Sequence, residues 1–136
     1  MDSSLQEFVR RRANDTCEYC RMPQHLDSLP FQMDHIIARK HDGPTSADNL
    51  ALACFYCNTY KGPNLAGVDP IGGQVVRLFH PRKDIWADHF FWEGPILRSH
   101  TPVGRAAIAV LRINDAEAVA VRASLISEGV FPFSNS

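Results

Sequence analysis

The sequence predicts an α+β protein, in which a small strand, strand, helix unit is followed by a mixed α+β extension packed on it. Three observations support this prediction. All four cysteines fall in two CxxC pairs, Cys17 with Cys20 and Cys54 with Cys57. Two short apolar segments lie between these pairs, and the second half of the chain changes to aromatic and helical patterns. With 136 residues and 45% hydrophobic content, the chain can bury a modest core.

The first half of the chain is predicted to run from a helix through two strands to a second helix. Apolar residues recur at helical spacing over residues 5 to 13. The arginines at 10 to 12 lie near the end of this segment, where positive charge is favourable at the carboxyl end of a helix. Prolines and polar residues make 23 to 33 an irregular loop. Short apolar runs predict strands at 33 to 38 and 50 to 55. Residues 56 to 61 should form a helix that the following Gly-Pro pair ends.

The second half reads as a separate pattern. Glycines and prolines make residues 63 to 73 a connector, and β-branched residues predict a strand over 74 to 79. An aromatic strand is expected at 89 to 92. A Thr-Pro start predicts a helix at 101 to 113, and an Asn-Asp cap with a later glycine predicts another at 114 to 129. The many aromatic side chains are interpreted as a core rather than as a base-stacking surface.

The change of composition divides the chain into two predicted parts. Residues 1–63 hold the cysteines and the first helix, and residues 64–136 form the extension, either as a separate part or as a portion of the same compact unit.

The composition also limits the compartment and the partners. No stretch approaches the roughly 18 apolar residues of a membrane span, and the first residues lack the apolar run of a signal peptide. We therefore expect a cytoplasmic protein without a membrane partner, with monomer and homodimer both open. The net charge of −1 does not by itself indicate nucleic acid, so such a partner must be argued from local charge.

The cysteine pairs predict a zinc site. Cytosolic thiols stay reduced, so paired cysteines there favour metal over disulfide. Cys17, Cys20, Cys54 and Cys57 supply a full tetrahedral thiolate set, which makes the predicted role structural. Thirty-three residues separate the pairs, so a folded segment must lie between them. The alternatives are four buried free cysteines or two redox dithiols.

Four polar residues lie between or beside the cysteine pairs at a notable spacing. Asp34 and His35 are adjacent, Asn49 follows fourteen residues after His35, and Asn58 follows the last cysteine. A histidine titrates near neutral pH and can accept a proton from water, so His35 is the natural general base for hydrolysis. Taken singly, His35 is more readily explained as a structural histidine, Asp34 as a surface charge and Asn49 as a turn residue.

Together these elements resemble the HNH endonucleases. The matching segment is MDHIIARKHDGPTSADNLALACFYCNTYKG, with the cysteine pair CEYC upstream of it. The resemblance covers residues 17 to 62. The resemblance implies a small ββα-metal (His-Me) finger with a four-cysteine zinc site. It also implies a metal-dependent endonuclease that hydrolyses phosphodiester bonds, with DNA as the expected substrate.

The resemblance further implies roles for the remaining polar residues. Asp34 and the side-chain oxygen of Asn58 would hold one catalytic divalent ion, expected to be Mg²⁺, which takes oxygen ligands. Asn49 would complete the catalytic set by hydrogen bonding across the loop and so positioning His35. Adjacent strand residues face opposite ways, so a local bend would be needed for Asp34 and His35 to share a site.

Basic residues beside these positions predict phosphate contacts. Arg39, Lys40 and Lys61 could bind the nucleic-acid backbone without reading its sequence. Arg39 and Lys40 are equally consistent with a solvated surface.

A different class of function is also open. A non-catalytic, zinc-stabilised module that binds nucleic acid or protein would keep the cysteines. It would have no need for Asp34, His35 and Asn58 together.

Overall fold

The computed structural model describes residues 1–132, which form two compact units. Unit 1 comprises Met1–Leu65 and His80–Lys83, and the described part of unit 2 comprises Ala66–Phe79 and residues 84–132. Both units combine helices with short antiparallel sheets, so the predicted α+β class is confirmed. The division into domains after residue 63 stays a prediction, because compactness alone does not define a domain.

Unit 1 begins with helix α1 (Ser3–Arg12), close to the helix predicted over residues 5 to 13. Asp2 caps its first turn through a hydrogen bond from the main chain to the carboxylate. At the other end, the Arg12 guanidinium donates to the carbonyl oxygens of Ala47 (2.9 Å) and Leu50 (2.7 Å). The helix is thereby fastened to residues 47 and 50, where the second strand of unit 1 begins.

The centre of unit 1 is the strand, strand, helix arrangement that the sequence predicted. Strand β1 (Gln32–His35) pairs antiparallel with β2 (Leu50–Ala53), with Asp34 opposite Ala51. Helix α2 (Phe55–Lys61) follows β2 after a single residue. All residues of β2 are buried, as expected for a strand covered on both faces.

Strand β1 is shorter than the predicted span of 33 to 38, because a side chain replaces the partner strand beyond His35. The last main-chain bond of the pair runs from Ile36 N–H to Asn49 O (2.8 Å). The Asn49 amide then bonds both the N–H and the carbonyl of Ile37, at 2.9 Å each. The pairing ends there, and the chain turns into a loop.

The described part of unit 2 consists of hairpins and helices. Its elements are β3 (Ala66–Val68), β4 (Val75–Arg77), α3 (Trp86–His89), β5 (Phe90–Glu93), β6 (Ile96–Ser99), α4 (Pro102–Val110) and α5 (Ala116–Ser127). Strands β3 and β4 form one hairpin, and β5 and β6 form another.

Two strands of unit 2 lie where the sequence predicted no strand. Strand β3 occupies part of the predicted connector, because its main chain pairs with β4 although its side chains lack a strand pattern. Gly67 in β3 lies against α4, where a Cβ would come within 2.5 Å of Val110 Cγ2. Close packing of the strand against α4 therefore explains Gly67, which the sequence analysis interpreted as a loop residue. Strand β6 was not predicted either, and it completes the hairpin of the aromatic strand.

The helices and the aromatic core of unit 2 follow the predicted chemistry. The Thr101 hydroxyl caps α4 by accepting from Gly104 N–H at 3.0 Å. Phe79, Trp86 and Phe90 are buried together, with Phe90 5.2 Å from each of the other two ring centroids. Across residues 1–132, no helix combines the length and apolar character needed to cross a bilayer.

Candidate active site and metal centre

Four cysteine sulfurs meet at one point of unit 1. Cys17, Cys20, Cys54 and Cys57 are buried, and their Sγ atoms lie within 4.8 Å of one another. Sulfurs of the two pairs approach to 3.8 Å between Cys20 and Cys54. Tetrahedral zinc with bonds near 2.3 Å requires a sulfur separation of about 3.8 Å. The cluster therefore fits a structural zinc ion, with every coordination position taken by protein.

The electrostatics of the cluster also favour a cation. The main-chain N–H of Cys20 points to Cys17 Sγ (3.5 Å), and that of Cys57 points to Cys54 Sγ (3.4 Å), which is the knuckle geometry that stabilises thiolates. Hydrogen bonding with the Cys17 sulfur nevertheless raises the pKa of the Cys54 thiol, because it holds Cys54 in the protonated form, and the charge of Cys17 acts in the same direction. A divalent cation removes this conflict by binding all four sulfurs as thiolates.

The two faces of β1 give Asp34 and His35 different environments. His35 is half-buried, and its Nε2 lies 2.8 Å from Thr45 Oγ1 in the loop between the strands. Burial lowers the pKa of His35, which favours the neutral imidazole. Asp34 turns toward α2 instead, as the alternation of strand side chains requires.

Asp34 is buried, with 3% of its surface exposed, and both carboxylate oxygens accept hydrogen bonds. Its Oδ2 accepts from the Tyr19 hydroxyl at 2.5 Å, and its Oδ1 accepts from Lys61 Nζ at 3.2 Å. Burial raises the pKa of Asp34, while the Lys61 ammonium acts in the opposite direction. The carboxylate is therefore held from two sides.

Lys61 lies inside unit 1 rather than at its surface. Only 1% of it is exposed, and Nζ donates to Asp34, to His35 O (3.1 Å) and to Ile36 O (3.0 Å). An ammonium has three donors, so this set uses all of them. This position does not suit the phosphate contact predicted for Lys61. We replace that role with a structural one, in which Lys61 fastens the end of β1 to α2.

Asn49 is buried and closes the loop that carries Thr45. Besides its two bonds to Ile37, its Nδ2 donates to Pro44 O at 2.8 Å. Pro44 directly precedes Thr45, so the Asn49 amide fixes the main chain beside the hydroxyl that contacts His35. The structure thus brings Asn49 and His35 together through the loop.

Asn58 and the basic turn lie at the edges of this group. Asn58, half-buried on α2, donates from Nδ2 to Gln32 Oε1 at 2.5 Å, so both residues border the face of β1 that holds Asp34. Arg39 and Lys40 are exposed on a short 3-10 turn after β1. Their contact with phosphate stays a prediction.

Three residues of this region were not singled out from the sequence. Tyr19 and Thr45 contact Asp34 and His35, and Glu18 is buried where its Oε2 accepts from Leu52 N–H at 2.8 Å. Tyr19 and Glu18 stand between two metal-binding cysteines, and that position was the available signal. Thr45 had none, because a threonine in a polar loop is common.

The fold and the sulfur cluster define this part of unit 1 as a ββα-metal finger with a four-cysteine zinc site. Comparison with protein families gives one finding: residues 17–64 match the model of the HNH endonuclease family. The match spans about a third of the chain and includes all four cysteines. Searches of curated proteins and of solved structures returned no match.

Replacement of one zinc ligand should unfold the finger. We expect Cys54→Ser to lose bound zinc and more than about 5 kcal/mol of stability, because zinc binding to such sites contributes directly to folding. Zinc content by mass spectrometry and melting by circular dichroism measure both effects. Thr59→Ala on the exposed side of the same helix is the control. A Cys54→Ser protein with full zinc and unchanged melting would contradict the assignment.

Replacement of the buried lysine should destabilise the protein. Lys61→Met keeps a side chain of similar length but leaves the Asp34 charge without its partner. We expect the free energy of unfolding to fall by about 3–5 kcal/mol. Urea unfolding measures this cost. Lys40→Met, at an exposed site, should change stability by less than about 0.5 kcal/mol. The phosphate role would instead be supported if Lys61→Met kept its stability and weakened nucleic-acid binding.

Proposed function

We propose that unit 1 is a metal-dependent endonuclease that hydrolyses phosphodiester bonds, with DNA as substrate and His35 as general base. The observation that carries this proposal is a half-buried histidine whose ring is held by a neighbouring hydroxyl, inside a segment that matches HNH endonucleases. Phosphodiester hydrolysis requires an activated water and stabilisation of the charge that develops at phosphorus and on the departing oxygen.

His35 has the surroundings that a general base needs. A neutral imidazole has one N–H donor and one acceptor nitrogen. We assign the proton to Nε2, which donates to Thr45 Oγ1, so that the Nδ1 lone pair is left to accept a proton from the attacking water. The lowered pKa of His35 favours this neutral form near pH 7. Asn49 acts as a positioning residue, because it fixes Pro44 and with it Thr45.

The chemistry of Asp34 and Asn58 fits the divalent ion that we propose for the reaction. Each oxygen of Asp34 accepts one hydrogen bond and retains a second lone pair, and Asn58 uses its amide nitrogen toward Gln32, which leaves its oxygen as an acceptor. One carboxylate and one amide oxygen are ligands that Mg²⁺ takes together with water and phosphate oxygens. A bound ion supplies positive charge at the phosphate and the departing oxygen.

Arg39 and Lys40 complete the proposal as contacts to the DNA backbone. Both are exposed and follow His35 closely along the chain. Contacts of this type bind phosphate without reading base sequence and weaken as salt concentration rises. They supply local positive charge beside His35 on a chain whose net charge is −1.

Loss of the proposed base should abolish most of the activity. We expect His35→Ala to reduce Mg²⁺-dependent cleavage of supercoiled plasmid by about 10²–10⁴-fold, because general base catalysis contributes this much. Zinc content should not change. Gel assays with Mg²⁺ and with EDTA measure the rate.

His41→Ala is the matched control, since His41 is an exposed histidine of the same loop. Equal cleavage by His35→Ala and His41→Ala would show that His35 is not the base. A parent protein that binds DNA without cutting it under any divalent ion would favour the non-catalytic module.

The hydroxyl beside His35 should matter through its hydrogen bond. We expect Thr45→Val to lower kcat roughly fivefold, equivalent to a hydrogen bond of about 1 kcal/mol, while Thr45→Ser retains the parent rate. Because valine and threonine have the same shape, steady-state kinetics of the three proteins isolate the hydroxyl. Equal rates for Thr45→Val and the parent would contradict the tautomer that we assign.

A further inference from the structure

Tyr19 lies in the first zinc knuckle, the segment from Cys17 to Cys20, and connects the zinc cluster to the acidic residue of the proposed active site. Tyr19 stands between Cys17 and Cys20 along the chain, and it is buried with 2% of its surface exposed. Its hydroxyl donates to Asp34 Oδ2 at 2.5 Å, across fifteen residues of sequence. One side chain therefore spans from the zinc knuckle to strand β1.

The knuckle that carries Tyr19 is fixed in place independently of Asp34. Glu18 N–H donates to Leu52 O at 2.8 Å, and Glu18 Oε2 accepts from Leu52 N–H at 2.8 Å, so the knuckle is paired to β2. Cys17 N–H donates to Met22 O at 2.9 Å and closes the turn. With its two flanking cysteines in the sulfur cluster, the main chain of Tyr19 has little freedom.

The Tyr19 hydroxyl therefore contacts Asp34 from a main-chain segment that has little freedom to move. A phenylalanine would fill the same buried space, so packing alone gives no reason for a hydroxyl at this position. Together with Lys61 on Oδ1, the hydroxyl restrains rotation of the carboxylate. Groups that hydrogen-bond a metal-binding side chain orient it, and their removal typically costs about 10–100-fold in metal affinity or activity.

We infer that Tyr19 is a positioning residue for Asp34, through which the structural zinc knuckle sets the affinity of the proposed catalytic metal site. This inference rests on the function proposed above, in which Asp34 is a ligand. Lys61 also positions Asp34, but it holds the main-chain carbonyls of His35 and Ile36 as well, so its replacement cannot isolate the carboxylate. Tyr19 is the cleaner probe.

The test measures binding of Mn²⁺ alone, by electron paramagnetic resonance titration of the full zinc-loaded chain. All proteins carry His35→Ala, which removes turnover. We expect Tyr19→Phe to weaken Mn²⁺ binding by about tenfold or more, with zinc content equal to that of the control. The matched control is Tyr56→Phe, which removes the same hydroxyl from a side chain that is 55% exposed.

Equal Mn²⁺ affinity of Tyr19→Phe and Tyr56→Phe would overturn the inference. Loss of zinc from Tyr19→Phe would also overturn it, because the hydroxyl would then act on folding of the finger rather than on Asp34.

An Asp34→Asn variant separates the inference from the proposed function. If Asp34→Asn binds Mn²⁺ as tightly as the parent, the proposed ligand is wrong and the inference falls with it. If Asp34→Asn loses Mn²⁺ while Tyr19→Phe retains it, the ligand assignment stands and only the inference about Tyr19 fails.

Discussion

Convergence of four sulfurs on one point is the constraint on which the finger depends. Cys54 belongs to this cluster and is also the N-cap of α2, where its sulfur accepts from Cys57 N–H. Asn58 and Lys61 follow at intervals of four and three residues, which places all three on the same side of the helix. The sulfur cluster thus fixes the rotation of α2 about its axis, and that rotation turns Asn58 and Lys61 toward β1.

Strand alternation then separates two kinds of chemistry within two residues. Asp34 faces inward to an ammonium and a hydroxyl, where burial makes every partner of the carboxylate costly to remove. His35 faces the loop, where it keeps partial access to solvent and a single hydroxyl contact. A rigid, ion-paired acid and an accessible imidazole therefore stand next to each other in the chain and have separate sets of contacts.

Sequence patterns predicted the order of elements in unit 1 because cysteine spacing and apolar runs are local signals. They did not predict the burial of Lys61, since a lysine before Gly-Pro is typical of a surface. In the fold, Asp34 offers it a carboxylate, and His35 and Ile36 offer it carbonyls. The patterns also missed β3, whose pairing resides in the main chain. The position of Tyr19 between two cysteines was a local signal, but its hydrogen bond to Asp34, fifteen residues away, could not be predicted from it. Non-local contacts decided each of these cases.

The chain returns to unit 1 at His80–Lys83, and there Arg82 pairs with Glu18 inside the first knuckle. The segment that matches the family ends at residue 64 and does not contain Arg82. A fragment that contained the matched segment alone would leave the buried Glu18 carboxylate without its counter-charge. The finger of this chain therefore depends on a residue outside the segment that matches the family.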